Sequence, residues 1–436
     1  MNKNLTQEQL RIETLGPAKI PSPLDVPEKI FHHKEVLLNP YPVEKWEKQP
    51  LSFEISLPSE SIYFDPSKVT AAIVTCGGIC PGLNNVIRSI VLSLSYGYGV
   101  NKVHGIKYGF QGFISKYRHP LVALTPEVVS NIHELGGTIL GSSRGEQPID
   151  QIVDLLERQN INILFVIGGD GSLRAAEKIG EEVTNRGIKM SIAAVPKTID
   201  NDISFVHRSF GFETAVDVAT QAIKCAHAEA KSFENGIGLV KLMGRHSGFI
   251  AATAAMSQRD VNYVLIPEVD FDFDGPKGLL AVLEERLSRR SHAVLVVAEG
   301  AGQHFFDHDE DATDASGNIR LQDIGKYFQK RITEHFKSKN LPCNLKYIDP
   351  SYMIRSVEAN TNDGLFCATL GQNAVHAAMA GKTRFVVSNW HGVYCQLPIA
   401  LAISKRKTIN PGERLWLNVL ESTGQPSFKN DLPVNR

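Results

Sequence analysis

From Lys68 onward, short continuous apolar runs alternate with segments whose apolar residues recur at helical spacing. Val69–Thr75 is the first run and predicts a β-strand that ends at Gly77-Gly78. Leu83, Val86, Ile87, Ile90, Val91 and Leu94 then recur every three or four residues, after Pro81 in a first-turn position, and predict a helix. The same strand, glycine turn and helix return at Ile161–Ile167, at Gly168-Gly169-Asp170-Gly171-Ser172 and at a helix starting near Leu173. A third run, Ile192–Val195, ends at Pro196 and passes into a polar loop. Ile237–Leu242, Tyr263–Ile266, Ala293–Ala298 and Phe385–Val387 follow. Uninterrupted apolar strands between helices predict an α/β fold with parallel sheets covered on both faces. Ligands of such folds bind at the carboxyl ends of the strands, where most of the distinctive polar motifs of this chain fall.

Residues 1–67 break the pattern. Pro17, Pro21, Pro23, Pro27, Pro40, Pro42, Pro50, Pro58 and Pro66 leave no room for a long helix, and predict an extended arm draped on the body or on a partner subunit. Composition then narrows the function. The chain has 436 residues, 42% of them hydrophobic, with 46 basic against 47 acidic side chains. A sizeable core can be buried, and the charge balance gives no nucleic-acid footprint. No apolar run approaches the roughly 18 residues of a membrane span. The polar start Met1-Asn2-Lys3-Asn4 has no apolar h-region and the C-terminus no peroxisomal signal, so a cytoplasmic enzyme is expected. Six cysteines in a chain this long do not form a disulfide scaffold. The Asp- and His-rich segment Phe306–Arg320 reads as a solvated loop, since it lacks the turn signature of a calcium loop.

Four stretches carry candidate chemistry. Gly77-Gly78-Ile79-Cys80-Pro81-Gly82-Leu83-Asn84 leaves a strand and enters a helix, where backbone donors can meet an anion; a plain tight turn explains it equally well, and Cys76 and Cys80 read as packing residues. Gly136-Gly137-Thr138-Ile139-Leu140-Gly141-Ser142-Ser143-Arg144-Gly145 offers one arginine to phosphate oxygens. Gly168–Ser172 sets one carboxylate among glycines after a strand. That suits Mg²⁺ beside phosphates, because this ion takes one or two carboxylates and keeps waters. It is not a Walker A loop, having no Gly-Lys-Ser/Thr at the required spacing. Pro196-Lys197-Thr198-Ile199-Asp200-Asn201-Asp202 combines two carboxylates with a lysine, a hydroxyl and an amide. Phosphoryl transfer to an alcohol needs a carboxylate at the acceptor hydroxyl, positive charge at the transferred group, and a metal. Residues suited to all three lie between Asp170 and Asp202.

These stretches, together with Met243-Gly244-Arg245, Pro267-Glu268 and Ala298-Glu299-Gly300, resemble the phosphofructokinase family in order and spacing over about residues 68–400. The long arm, Lys197 and Ile348-Asp349-Pro350-Ser351-Tyr352-Met353-Ile354-Arg355 resemble its plant, kinetoplastid and protist branch. The resemblance implies two Rossmann-like three-layer domains with mostly parallel sheets, an N-terminal arm (1–67) and a C-terminal extension (401–436). The phosphoryl-donor domain would span 68–211 and be completed by about 363–400; the fructose 6-phosphate domain would span 212–362. It implies that Gly77, Gly78, Arg144, Gly145, Gly169, Asp170, Gly171 and Ser172 meet ATP, that Asp170 holds Mg²⁺, and that Asp200 takes the proton of the 1-hydroxyl. Thr198, Ile199, Asp202, Met243, Gly244, Arg245, Glu299, Tyr352, Met353, Ile354 and Arg355 would contact the sugar phosphate. A homo-oligomer, tetramer or dimer, would be usual.

Two departures concern the 6-phosphate. Short bacterial members carry arginines where Gly236 and Gly364 stand here, so charge must come from elsewhere, with Lys241 and Arg208 as candidates. A third departure concerns the donor. Pyrophosphate-using members have Asp at Gly171 and Lys at Lys197, short ATP-using members Gly at both, and this chain has the mixed pair. A nucleotide must pass its α-phosphate beside residue 171, where a carboxylate would fill space and repel phosphates, whereas Lys197 suits either donor. ATP is therefore expected, with a pyrophosphate-dependent phosphotransferase as the alternative. Lipid and NAD kinases share the Gly-Gly-Asp-Gly turn but not the sugar-phosphate motifs. A non-catalytic subunit would be expected to lack Asp170 or Asp200.

Overall fold

The computed structural model describes residues 5–25, 35–38, 51–306 and 320–430. Pro27, Pro40, Pro42, Pro50 and the acidic stretch Asp307–Asp314 lie outside them. The chain forms two units. The first comprises Met1–Ile199, Ile203–Gly211 and Ser356–Arg406, the second Asp200–Asp202, Phe212–Arg355 and Lys407–Arg436.

The first unit is built on β1 (Thr70–Thr75), α1 (Leu83–Leu92), β2 (Lys102–Ile106), α2 (Ile149–Arg158), β3 (Ile163–Gly168), α3 (Asp170–Asn185) and β4 (Ser191–Pro196). Every residue of β1, β3 and β4 is buried, as uninterrupted apolar strands between two helical layers must be. β2, β1, β3, β4 and the returning strand Phe385–Trp390 lie side by side and parallel. Antiparallel strands flank them on both edges: Val122–Ala123 beside β2, and Val393–Pro398 followed by Ser52–Ile55 and Glu35–Leu37 on the other side. The proline-rich N-terminal segment therefore adds strands to the sheet, and it buries Leu10 and Phe53 in the same core. Its other pairings, Glu13–Thr14 with Lys382–Thr383 and Ile20–Pro21 with Ser61–Ile62, are two residues long. The spatial order places β3 next to β1, while the chain between them runs out through β2 on the far side. The carboxyl ends of β1 and β3 are thus a topological switch point, where open α/β sheets bind ligands.

The second unit is built on α4 (Phe212–Lys231), β5 (Gly236–Leu242), α5 (Phe249–Gln258), β6 (Tyr263–Leu265), α6 (Leu279–Arg290), β7 (His292–Ala298), α7 (Ile324–Ser338), β8 (Asn344–Ile348) and the short α8 (Ser351–Ser356). Its sheet runs β6-β7-β5-β8, all parallel. Leu239, Leu295, Phe328, Phe336 and Phe271 centre its core, each at most 1% exposed. Burial of such side chains contributes roughly 1.5–3 kcal/mol each. No helix among the described residues is long and apolar enough to cross a membrane.

The elements depart from the sequence expectation in one place that matters for chemistry. α3 starts at Asp170, not near Leu173: the Leu173 N–H donates to Gly169 O at 2.9 Å and closes the first turn. The polar Gly-Asp-Gly-Ser stretch hides this turn from a hydrophobic-periodicity reading. Asp170 consequently stands at a helix N-terminus, where the dipole favours its charge.

Candidate active site

In the first unit, three strand ends are stitched together. Past β1, Gly77 takes φ +83°, a left-handed conformation that glycine adopts without strain, and its N–H donates to Ser143 O at 3.1 Å. Ser142 Oγ returns a bond to Gly77 O at 2.5 Å, and Thr75 Oγ1 donates to Gly141 O at 2.8 Å. The Gly136–Gly145 loop is thereby held against the first glycine turn, with Arg144 and Gly145 exposed on it. A Cβ at Gly78 would sit 3.5 Å from Arg144 Nη2.

Lys197 joins this turn to the next. Its N–H donates to Gly168 O at 2.9 Å, and its ammonium donates to Gly78 O at 2.6 Å while the side chain is buried. A Cβ at Gly169 would meet Lys197 O at 3.0 Å, so this backbone approach is close. Gly171 differs: a Cβ there would meet no heavy atom within 4 Å. Ser172 is buried behind it. Thr198 O accepts from Ser209 Oγ at 2.5 Å, and Ile199 is buried.

Asp170 does not stand alone at the start of α3. Arg174, one turn on, places Nε and Nη2 each 3.2 Å from its two carboxylate oxygens, and Arg406 Nη2 lies 3.5 Å from Oδ2. Arg174 is also anchored to Ile403 O at 3.1 Å. Sequence reading missed both arginines. Arg174 had a signal, the i,i+4 spacing from Asp170, which is visible only once the helix is known to begin there. Arg406 had none, because its place depends on the 403–407 segment returning to α3.

In the second unit, Asp200–Asp202 meets the carboxyl end of β5. Asp200 O accepts from Ser247 Oγ at 3.2 Å, and the Arg245 N–H points at Asp200 Oδ2 at a long 3.5 Å. Gly244 has φ +124°, and a Cβ there would clash with Ser247 O, so only glycine fits the Met243-Gly244-Arg245 turn. The turn is clipped to the end of β7 by Glu299 N to Leu242 O (2.9 Å) and Gly300 N to Gly244 O (3.1 Å). Burial pushes the Glu299 carboxyl above its ordinary range, opposed by the positive charges of Lys241, Arg245 and Arg355. Glu268, likewise raised by burial, accepts from Gly248 N and Ile409 N at 3.0 and 2.8 Å and props this region from behind. Lys407, a further residue that sequence reading missed, donates its N–H to Asp202 O at 2.8 Å. Burial drives its ammonium down to about 7, with Asp202 opposing.

On α8, Tyr352 and Met353 are well exposed, and the Arg355 guanidinium lies 4.7 Å from the Tyr352 ring centroid. Ile354 is fully buried, so it packs beneath this pair. Lys241 is bound to Asp349 at 2.7 Å and lies 3.6 Å from Asp323. Its charge is already matched, which weakens it as a substitute phosphate clamp. Arg208 belongs to the first unit, over the Phe366 ring at 4.4 Å and donating to Asn362 O at 3.2 Å. Gly236 begins β5, at the opposite end of the strand from Arg245, and Gly364 lies in the helix Thr361–Met379.

No group of three or more His, Cys, Asp or Glu able to hold a metal occurs among the described residues. A lone carboxylate at a helix N-terminus beside a glycine turn still fits Mg²⁺, which draws its other ligands from phosphates and water.

The family profile described as Phosphofructokinase matches residues 70–378. The chain is 54% identical over 380 residues to an ATP-dependent 6-phosphofructokinase of Borreliella burgdorferi, covering 86% of this chain and 85% of that one. It is 45% identical over 433 residues to an ATP-dependent 6-phosphofructokinase of Trypanoplasma borreli, covering 96% and 88%. Among solved structures, it is similar to a pyrophosphate-dependent phosphofructokinase of Marinobacter aquaeolei (TM-score 0.67, 17% identity, 84% of this chain and 95% of that one). It is also similar to phosphofructokinase from Saccharomyces cerevisiae (TM-score 0.63, 23% identity), where it covers 82% of itself and half of the yeast chain. At these identities the solved structures bear on the fold alone.

Proposed function

The chain belongs to the phosphofructokinase family, and from that membership we propose how its residues divide the work. The activity is transfer of the γ-phosphoryl of ATP to fructose 6-phosphate, giving fructose 1,6-bisphosphate and ADP. The observation that carries the residue assignment is Lys197, which links the Gly168 turn to the Gly78 turn and stands three residues before Asp200. Donor-binding residues (Gly77, Gly78, Arg144, Gly145, Gly169, Asp170, Gly171, Ser172) belong to the first unit. Asp200, Asp202, Met243, Gly244, Arg245, Glu299, Tyr352, Met353 and Arg355 belong to the second. Thr198 and Ile199, on the chain just before Asp200, line the acceptor.

In this reading Asp200 accepts the proton of the 1-hydroxyl as its oxygen bonds to the γ-phosphorus. The bond from that phosphorus to the β,γ-bridging oxygen breaks, and ADP leaves. Lys197 and Arg144 supply positive charge to the transferred group. Magnesium, when bound, neutralises donor phosphates, and Asp170 would hold it. Arg355 grips the 6-phosphate, with the Tyr352 hydroxyl as a second donor. A coupled aldolase assay with fructose 6-phosphate, offering ATP and pyrophosphate in turn, tests the donor; a wild type that prefers pyrophosphate overturns the assignment. A cytoplasmic location and a homo-oligomer, tetramer or dimer, belong to the same proposal, and light scattering on the eluted enzyme tests the latter.

Two mutational outcomes follow. A charged hydrogen bond is worth roughly 1.5–3 kcal/mol, so Arg355→Ala raises the KM for fructose 6-phosphate by roughly ten- to a hundredfold. A rise confined to the KM for ATP would put Arg355 on the wrong substrate. Asp170→Ala raises the Mg²⁺ concentration for half-maximal rate at fixed ATP by at least about tenfold, the scale of losing a metal-site interaction. An unchanged Mg²⁺ titration would remove Asp170 as the ligand.

A further inference from the structure

The start of α3 is met by a segment from the far end of the chain. The short helical turn Ile399–Ala402 buries Ile399, Leu401 and Ala402 in the core that also takes Leu173 and Ala176 of α3. Beyond it, Arg406 pairs with Ile203 in an isolated antiparallel bridge, and Ile203 is itself buried. Packing and pairing that do not involve the carboxylate thus fix this segment beside Asp170. Arg174 completes the arrangement. Its guanidinium faces both Asp170 oxygens at 3.2 Å and donates to Ile403 O at 3.1 Å. Asp170 and Arg406 are half-buried, and Arg174 is exposed. Among the described residues, Asp170 is the only carboxylate within ion-pair distance of either arginine. Two guanidiniums therefore face one carboxylate, and the cluster carries a surplus of positive charge.

An i,i+4 ion pair on a helix is ordinary; a second arginine delivered to the same carboxylate by a distant segment is not. The forked approach of Arg174 engages the oxygens that a cation would use. A free divalent cation arriving at Asp170 also meets two like charges within a few ångströms against one opposite charge, an unfavourable sum. Negative charge brought to the Gly168–Ser172 turn by a phosphorylated donor reverses that sum, and phosphate oxygens offer the guanidiniums other partners. We propose that Arg174 and Arg406 are positioning residues that close Asp170 to free divalent metal and leave it open to metal carried by an anionic donor. This guarding role rests on the assignment of Asp170 as the magnesium ligand, and adds to it the two residues that decide when the ligand is accessible.

Titration of the nucleotide-free full chain with Mn²⁺ at low salt, where charge effects are least screened, tests it, with the unbound ion counted by electron paramagnetic resonance. Arg174→Gln/Arg406→Gln binds one equivalent at least about tenfold more tightly than the wild type. Adding Asp170→Asn to that variant abolishes the gain, which places the ion on this carboxylate. Arg174→Lys/Arg406→Lys keeps both charges and stays within about twofold of the wild type. Arg406→Gln alone gives a gain of about threefold or more and answers the question if the double variant fails to fold. A merely structural role predicts the reverse, weaker binding once the carboxylate loses its supports. Equal or weaker Mn²⁺ binding by the glutamine variants, a gain that survives Asp170→Asn, or an equal gain in the lysine variant would overturn the proposal. The Mg²⁺ titration of Asp170→Ala tests the underlying assignment separately: if it shifts while the glutamine variants bind Mn²⁺ like the wild type, Asp170 keeps its role and the two arginines lose theirs.

Discussion

Asp200→Ser lowers kcat by at least about a hundredfold, the lower bound for losing a positioned general base, while the KM for fructose 6-phosphate stays near wild type. The structure makes this substitution a clean probe. The Asp200 main chain is held by Ser247 Oγ through its carbonyl oxygen, an interaction independent of the side chain. The Arg245 N–H approaches the carboxylate at a long 3.5 Å, and in the proposed assignment the carboxylate takes a proton. In the proposed assignment sugar-phosphate affinity rests on Arg245, Arg355 and the turn around Gly244, all of which remain. Steady-state kinetics and a melting curve check the result. Near-normal turnover in a folded variant would remove Asp200 as the base; a collapsed melting temperature would give it a structural role instead.

The strands around this chemistry were legible because their burial is two-sided. Ile163–Ile167 and Ala293–Ala298 are apolar at every position, and both are fully buried in parallel sheets. Glycine turns at their carboxyl ends could be placed from the same pattern. Strands that cover only one face, or pair at an edge, left weaker traces. β2 alternates Lys102, Val103, His104, and Val393–Pro398 carries a glutamine that is buried, so neither reads as an apolar run. The arm's strands are two to four residues long and borrow their order from partners hundreds of residues away, such as Cys395 opposite Ile55. Among the candidate site residues, Asp170, Lys197 and Asp200 announced themselves by residue type. Arg174, Arg406 and Lys407 did not, because ordinary surface cations gain meaning only from what the fold sets beside them. In Lys405-Arg406-Lys407 one side chain reaches Asp170 and the next backbone N–H reaches Asp202, a division that no local spacing encodes.

Gly171→Asp lowers kcat/KM for ATP by about two to three orders of magnitude. At an effective dielectric of ~20, a carboxylate ~5 Å from one phosphate charge costs about 3 kcal/mol, roughly a hundredfold or more, and phosphates carrying further charge add to it. Backbone damage does not compete with this explanation. A Cβ at position 171 meets no protein atom within 4 Å. The residue lies in the first turn of α3, where an added carboxylate is favoured by the helix dipole and loss of a glycine stiffens the unfolded chain. The variant should therefore melt no lower than the wild type. Pyrophosphate has no nucleotide to thread past residue 171, and Lys197, Arg174 and Arg406 surround the turn with positive charge. The ratio of kcat/KM for pyrophosphate to that for ATP thus shifts toward pyrophosphate by at least about a hundredfold. Parallel assays of both donors in both proteins decide the matter. If ATP use survives Gly171→Asp unchanged, donor choice does not reside at this glycine, and the buried Lys197 bridge becomes the next residue to replace.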